Sequence, residues 1–427
     1  LVLLITTTGF TMHGLGSFSV IFFSKYFSRR LLINISLISM FGFCLLNLIF
    51  FNFYTYYIFI FFGCFFSGVA DPLNQDTLCE SLPIKLRGFF MSFQTISSPL
   101  SQVTNFIILK NVYNENNESS IIFIQLYTSI ILFVFSIIAI IFYKDSPKNL
   151  ILKNDTDSAF ENLEKLLPEN ETTISNKRKQ IIIKQMHKGI NEEIHCNVTD
   201  LYSKIFCKTT FAFTFIVILV KIVDDGLSAI LTIYISKIIN SKNNSSVGNM
   251  GQNINLFGTL GPILSGILIE IPYLGRKTSL YGSVILVIIS FIIFHLNLNG
   301  FIVWLGLLTI FTNASAATVM TYLTETYPTI IRDIAVSYFN CIVSVGSVLG
   351  SSIFIALVLL NFNGPFYFQI VSTIVTIFLI SLLKYETFNK ALDNLNYDNS
   401  SDENNDDDLE KIKLKVFESE SRNDQLE

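Results

Sequence analysis

The residues best suited to chemistry in this chain are charged groups that occur twice at the same spacing. The pattern Glu-x-x-Pro-x-x-x-Arg spans Glu80–Arg87 and recurs at Glu325–Arg332, 245 positions later. Because proline cannot continue a helix interior, each pattern places a glutamate in the last turn of one helix and an arginine at the start of the next. Ion pairs at such junctions can form in one conformation and break in another, as a gate requires. The alternative is that both residues only solvate helix ends.

An arginine-containing turn precedes each pattern. Ser28–Arg30 precedes the first and Gly275–Lys277 precedes the second, and these turns are 247 positions apart. Two features that share nearly one offset indicate a parallel internal duplication. Together with one nearby glutamate, the turns and patterns supply the candidate gate residues Arg29, Arg30, Glu80, Arg87, Glu270, Arg276, Lys277, Glu325 and Arg332.

Long apolar runs separate these charged segments. Of the 427 residues, 51% are hydrophobic and 15% are charged, whereas soluble domains carry about 25% charged residues. Apolar runs of about 20 residues can cross a bilayer, and in lipid they must be helical to satisfy their backbone groups. The sequence therefore predicts an all-α membrane protein with eleven spans, at Leu1–Phe23, Leu31–Phe51, Tyr54–Leu78, Gly88–Leu109, Ser120–Phe142, Thr209–Ile239, Gln252–Ile271, Thr278–Leu296, Gly300–Thr324, Asp333–Leu360 and Gly364–Leu383.

Ionisable side chains inside these runs are candidates for contact with a solute or a proton, because charge at membrane depth is costly. Asp76 lies one helical turn before Glu80 and on the same face, and Asp71 lies deeper in the same run. Packing between helices is the alternative for both aspartates. The candidates for the solute or proton pathway are Asp71, Asp76, Gln94, Lys221, Asp224, Asp225 and Asn313.

The sixth run carries three of these candidates within five residues. Lys221 and Asp225 can neutralise one another at i, i+4, which would leave Asp224 over. The cluster is therefore either a cavity lining or a self-paired structural group. His13, in the first run, can titrate near neutral pH or serve as a packed polar residue.

The distribution of basic residues predicts the orientation of the chain, because lysine and arginine favour cytosolic loops. One set of alternate loops holds eight such residues and the opposite set holds three. We expect a cytosolic inter-bundle loop at 144–208, with short helices, and a disordered acidic cytosolic tail at 385–427. Residues 1–143 form the predicted N-terminal bundle and 209–384 the predicted C-terminal six-helix bundle. Since the first half has five spans, its first helix is expected to be missing.

These features resemble those of the major facilitator superfamily. Its members have two bundles of six helices, an arginine-rich turn between the second and third helix of each half, and the Glu-x-x-Pro-x-x-x-Arg pattern after the fourth. The resemblance covers nearly all of residues 1–384, and Asp145–Lys148 is similar to the Glu-Ser-Pro-Arg segment that follows the family's sixth helix. It implies the major facilitator fold, with two six-helix bundles related by pseudo-two-fold symmetry.

Two segments resemble one branch of this family, the synaptic-vesicle-protein-like and organic ion transporters. They are the turn at Ile269–Lys277 and the fourth-helix segment Pro72–Glu80. The chain lacks the Gln-Gln pair expected in the seventh helix of a sugar porter. It also departs from the family pattern at Lys25, which replaces an acidic residue, at Ser28, which replaces glycine, and at Asp333, which replaces glycine. These departures make the first turn a degenerate copy and predict less tight gating at that turn, without changing the predicted fold.

The expected function is secondary transport of a small organic solute, with an organic ion favoured and protons as a candidate coupling ion. A carrier of sugars or other neutral solutes is one alternative, and a transporter-like receptor that moves nothing is another. The sequence shows no nucleotide-binding loop, metal-ligand cluster or catalytic triad, so we expect no enzyme activity, cofactor, metal or nucleic-acid partner. The expected partners are the solute and the lipid bilayer, and the expected state is a monomer.

Overall fold

The computed structural model describes residues 2–24, 26–50, 53–83, 86–111, 119–146, 150, 157–159, 161, 208–239, 244–271, 273–296, 301–327, 329–361 and 363–383. In the first half, the helices are α1 (Val2–Phe23), α2 (Arg29–Ile49), α3 (Phe53–Ser81), α4 (Arg87–Gln94), α5 (Ser97–Asn111) and α6 (Ser119–Phe142). In the second half, they are α7 (Lys208–Ile239), α8 (Asn244–Gly258), α9 (Leu260–Ile269), α10 (Gly275–Leu296), α11 (Phe301–Thr326), α12 (Thr329–Leu360) and α13 (Gly364–Ser381).

These helices confirm the predicted all-α membrane architecture. Among the described residues, six helical segments are long and apolar enough to cross a bilayer: Arg29–Ile49, Tyr54–Ser81, Gly275–Ile293, Val303–Thr326, Ile331–Leu360 and Gly364–Ser381. The chain is therefore a multi-pass integral membrane protein. The predicted inter-bundle helix falls almost wholly, and the predicted acidic tail wholly, outside the described residues, so both remain predictions.

Two runs predicted as single spans are each interrupted. The run Gly88–Leu109 is divided between α4 and α5, and the run Gln252–Ile271 between α8 and α9. Each interruption lies one turn before a proline, Pro99 or Pro262. Because proline has no N–H, the carbonyl four residues earlier loses its helical hydrogen bond, and the ring crowds the same carbonyl.

The two halves meet along paired helices. The main contacts between them join α1 to α12, α5 to α8 and α4 to α9, with α3 also touching α12. Within the second half, buried apolar side chains from α7, α10, α11, α12 and α13 form one continuous core that includes Phe213, Tyr322 and Phe339. The halves are thus packed internally and share a separate interface, where polar groups from both can meet.

Helices α1 and α3 approach so closely that only glycine fits at two positions. A Cβ added at Gly68 would lie 2.0 Å from the carbonyl oxygen of His13, and one added at Gly16 would lie 2.0 Å from the carbonyl oxygen of Phe65. The Ser17 hydroxyl uses the short distance to donate to the Gly68 carbonyl at 2.9 Å. This contact fixes the position of α1 at the depth where His13 lies.

We expect Gly68→Ala to destabilise the protein by at least about 2 kcal/mol, since overpacking against backbone cannot be relieved by a side-chain rotation. Gly42→Ala is the matched control, because nothing lies within 4 Å of a Cβ at that position. There, alanine should be neutral or stabilise the helix by up to about 1 kcal/mol. Thermal unfolding of both variants in detergent, followed by intrinsic fluorescence, checks this, and equal midpoints would contradict the close approach.

Candidate functional site

The two arginine-containing turns start their helices in different ways. Gly275 has a φ of 65°, in the left-handed region that favours glycine. Its counterpart Ser28 has a φ of −72° and caps α2 by accepting the Leu31 N–H at 3.3 Å. Ser28, which replaces the family's glycine, therefore starts its helix with a side-chain cap instead of a left-handed residue. In both turns an arginine, Arg29 or Arg276, follows directly in the first turn of the helix.

In the second half, Arg276 holds Glu325 with two parallel hydrogen bonds. Its Nε donates to Oε2 at 2.8 Å and its Nη2 to Oε1 at 3.1 Å, and both side chains are almost completely buried. The Glu270 carboxylate lies 3.7 Å from Arg276 and accepts the N–H of Phe89, in the first half, at 3.1 Å. This group therefore pins α10 to α11 and reaches across the interface through Glu270.

In the first half, Arg29 occupies the equivalent place but binds more partners. Its guanidinium lies 2.8 Å from Glu80 and 2.5 Å from Asp76, both on α3. It also reaches across the interface to Asp333 on α12, at 3.0 Å. Asp333, which the sequence suggested would loosen the turn, is instead a direct partner of the arginine in that turn.

A second contact between the halves runs in the opposite direction. Arg332, at 0% exposure, lies 3.2 Å from Glu80 and 3.7 Å from Asp76. The Ser146 hydroxyl also donates to Glu80. Arg29, Asp76, Glu80, Arg332 and Asp333 are called the charge cluster below, and they join the two halves through the Arg29–Asp333 and Arg332–Glu80 pairs.

The structure distributes the other predicted gate residues differently. Arg30 remains within the first half, where its backbone N–H donates to Asp145 and its side chain donates to the Ile140 carbonyl. Lys277 donates to the Leu383 carbonyl within the second half. Arg87 is buried, but the described residues provide it with no ion pair. Arg29 and Arg276, from the two turns, thus make equivalent ion pairs. Arg87 and Arg332, from the two Glu-x-x-Pro-x-x-x-Arg patterns, do not, among the described residues.

Two predicted pathway residues lie outside this network. Asn313 donates to the Thr309 carbonyl of its own helix at 2.8 Å. Gln94 is partly buried at the end of α4, next to the interruption before α5. Asp76 was also predicted on the pathway, and the structure places it in the charge cluster.

Lys221 on α7 binds both of the neighbouring aspartates. Its Nζ lies 2.8 Å from Asp224 and 3.1 Å from Asp225. Pairing with Asp225 therefore does not leave Asp224 without the lysine, because Lys221 lies between the two carboxylates. The Ser347 hydroxyl on α12 donates to Asp225 at 2.5 Å, so this group also packs against a neighbouring helix.

His13 lies at the contact between the two halves. Its Nε2 is 3.1 Å from Asp71 on α3, and its Nδ1 is 3.0 Å from the Ser344 hydroxyl on α12. Ser344 is 331 positions away in sequence, so sequence spacing gave no signal for this pairing. His13 is therefore a bridging residue between the two halves.

A cavity of about 420 Å³ lies between the halves. We call it the interface cavity. Its polar lining comes from α1, α5, α7 and α12, and its apolar lining mainly from α1 and α3. The lining residues are Gly9, Phe10, His13, Ile60, Cys64, Ser98, Lys221, Asp225, Val343, Ser344 and Ser347. A largely apolar cavity with a few convergent polar groups is the usual form of a small-molecule site.

Comparison with known proteins identifies relatives of this arrangement. The profile of the Major Facilitator Superfamily matches residues 2–269. The structure of the proton:xylose symporter XylE bound to 6-bromo-6-deoxy-D-glucose superposes with a TM-score of 0.74 at 13% identity, covering 92% of this chain and 88% of that one. The human organic anion transporter MFSD10 gives a TM-score of 0.65 at 12% identity, covering 88% and 83%.

A second state of the xylose transporter gives a lower score. The partially occluded, inward-open conformation of XylE from E. coli has a TM-score of 0.65 at 13% identity, covering 90% of this chain and 87% of that one. No curated protein sequence matches the chain. At these identities the structural likeness shows the fold, and it confirms the predicted two-bundle architecture.

Proposed function

Because the chain belongs to the major facilitator superfamily, we propose that it is a secondary transporter that moves a small organic cation by alternating access. The observation that carries this proposal is the interface cavity, which contains a lysine–carboxylate group and lies between two halves joined by the charge cluster. Alternating access requires a solute site between two bodies and contacts that form in only one of their arrangements.

The charge cluster supplies contacts of this kind. Arg29–Asp333 and Arg332–Glu80 each join one half to the other. Movement of the halves apart would break both pairs and expose buried charge to water, which would then solvate it. The closed arrangement has the ion pairs, and the open arrangement has the same charges solvated by water. The two arrangements can therefore have similar free energies.

The charge around the interface cavity favours a cation. Lys221 and Asp225 line it, Asp224 shares the lysine, and Asp71 lies against the lining residue His13. One lysine is thus set against three aspartates. In the largely buried group of Lys221, Asp224 and Asp225 the excess carboxylate favours an ammonium or other organic cation and disfavours an anion. The Asp71 side chain is 48% exposed, so water screens its contribution.

We place the protein in the organic ion transporter branch, and with the C-terminal end on the cytosolic side. The branch rests on the turn at Ile269–Lys277 and on Asp76 and Glu80, whose carboxylates hold Arg29. The orientation rests on the excess of lysine and arginine in alternate loops. The same rule places the charge cluster at the cytosolic end of the interface.

A neutral-solute carrier is the second candidate. The hydroxyls of Ser98, Ser344 and Ser347 line the interface cavity, and hydroxyl groups are suited to hydrogen bonds with a sugar. Two of the compared structures are of a xylose transporter. A receptor that binds without transport is the third candidate, and it requires a charge cluster that does not open.

Uptake by proteoliposomes distinguishes these candidates. We expect saturable uptake of tetraethylammonium, with no uptake of benzoate or D-xylose, and a response to proton gradients imposed in either direction. Saturable xylose uptake would favour the sugar carrier. Binding of a solute without uptake, in both wild type and Glu325→Gln, would favour the receptor, because in a carrier the loss of the Arg276–Glu325 pair should alter flux.

A further inference from the structure

His13 is surrounded by hydrogen-bond acceptors at both ring nitrogens. Nε2 faces a carboxylate oxygen of Asp71 at 3.1 Å. Nδ1 faces the Ser344 oxygen at 3.0 Å, and the single hydroxyl hydrogen of Ser344 is donated to the Asn340 carbonyl at 3.1 Å. While this hydrogen is donated to the Asn340 carbonyl, the Ser344 oxygen is available to Nδ1 only as an acceptor.

This geometry matches a doubly protonated ring. A neutral imidazole carries one N–H and can serve one of the two acceptors, whereas an imidazolium donates from both nitrogens. On losing its proton, the ring must release Asp71 or Ser344, or Ser344 must turn its hydrogen away from Asn340. Each of these changes removes one hydrogen bond from the group around His13, which lies beside the close contact of Gly14 on α1 with Ser344 on α12.

The titratable and charged groups that face His13 come from three helices. From α3 they are Asp71 and Cys64, from α12 Cys341 beside Ser344, and from α7, across the interface cavity, Lys221 and Asp225. Asp224 binds the same lysine outside the cavity lining. Among these groups the imidazole is the one whose type gains and loses a proton in the physiological range. Its charge in turn changes the balance of charge around the cavity.

We propose that His13, held between Asp71 and Ser344, is the proton-binding site of the transporter and that its proton competes with the cationic solute. The inference rests on the proposed function. With His13 charged, the cavity region contains two positive and three negative side chains, and with it neutral, one positive and three negative. Entry of a cation therefore favours release of the proton to solution, and protonation expels the cation. The coupling has the sign of an exchanger.

Binding of radiolabelled tetraethylammonium to the purified protein in lipid nanodiscs tests this competition. Between pH 8 and pH 6 the dissociation constant should rise by about fivefold or more, within the range usual for two coupled sites. At pH 6.5 in weak buffer, a pH-sensitive dye should report up to about one proton released per cation bound. In His13→Gln the dissociation constant should be the same at both pH values, and the proton signal should disappear.

Three further variants make the test specific. Ser344→Ala retains the imidazole and Asp71 but removes one acceptor, so stronger acid should be needed to displace the cation. Asp71→Asn removes the carboxylate charge beside Nε2, so stronger acid should again be needed to displace the cation. Cys44→Ser changes a thiol on α2 that is not among the residues lining the cavity, and it should leave the dependence on pH unchanged. Retained cation binding at pH 8 shows that a variant is folded.

The outcomes separate this inference from the proposed function. Cation binding that is independent of pH and releases no proton would overturn the proton site while leaving a cation transporter. Full pH dependence in His13→Gln would also overturn it. Failure of the wild-type protein to bind tetraethylammonium at any pH would overturn the cationic solute, and the competition with it.

Discussion

Substitution of Arg332 by glutamine should open the end of the interface that the charge cluster closes and expose Cys79. In the closed arrangement the Cys79 side chain is 0% exposed and packs with Leu78, Leu82 and Met91. It lies within electrostatic reach of Arg332. Removal of one partner from a buried charge pair costs at least about 2 kcal/mol, and about 1.4 kcal/mol is a factor of ten. Labelling of Cys79 by a maleimide should therefore accelerate about 30-fold.

The experiment requires a background in which Cys79 is the only cysteine, because partly exposed thiols occur elsewhere, at Cys64 and Cys341. Asp333→Asn weakens the other contact between the halves and should accelerate labelling in the same direction. Arg30→Gln is the matched control, because the hydrogen bonds of this neighbour of Arg29 to described residues all lie within the first half. A gate is contradicted if Arg30→Gln labels as fast as Arg332→Gln, or if neither labels faster than the parent.

The internal duplication explains why part of this network could be predicted. A repeat of the sequence implies a repeat of the local contacts, and Arg29–Glu80 and Arg276–Glu325 indeed occupy equivalent places, 51 and 49 positions apart. Both pairs join helices of one half, which the repeat specifies. The same reasoning could not reach Asp333, because its partner Arg29 is 304 positions away in the other half.

The contacts between the halves depend on how the two bundles dock. The internal sequence repeat does not determine that docking. Arg332 binds Glu80 across the interface, whereas its repeat counterpart Arg87 makes no ion pair with the residues described. His13 illustrates the same limit. Its chemistry was visible in the sequence, but the choice between a packed residue and a proton site depended on Asp71 and Ser344, from two other helices.

The second large effect is expected at the interface cavity. Asp225→Asn should reduce uptake of tetraethylammonium about 100-fold at low solute concentration, because Asp225 lines the cavity and its removal leaves Asp224 as the ion-pair partner of Lys221 among the described residues. The excess of negative charge then falls by one. Loss of a buried charged partner typically costs about 2–5 kcal/mol, and 100-fold corresponds to about 2.8 kcal/mol. Initial uptake rates in proteoliposomes measure the effect.

Asp224→Asn is the control that separates neutralisation of Lys221 from direct contact with the solute. Asp224 binds the same lysine at a shorter distance, 2.8 Å against 3.1 Å, but it does not line the cavity. If the aspartates act only by neutralising Lys221, the two variants should fold and transport alike. If Asp225 also contacts the solute, its substitution should raise KM far more than that of Asp224, with similar thermal stability in the two variants. The electrostatic change in the region is nearly the same in both, so a difference in KM reports the direct contact.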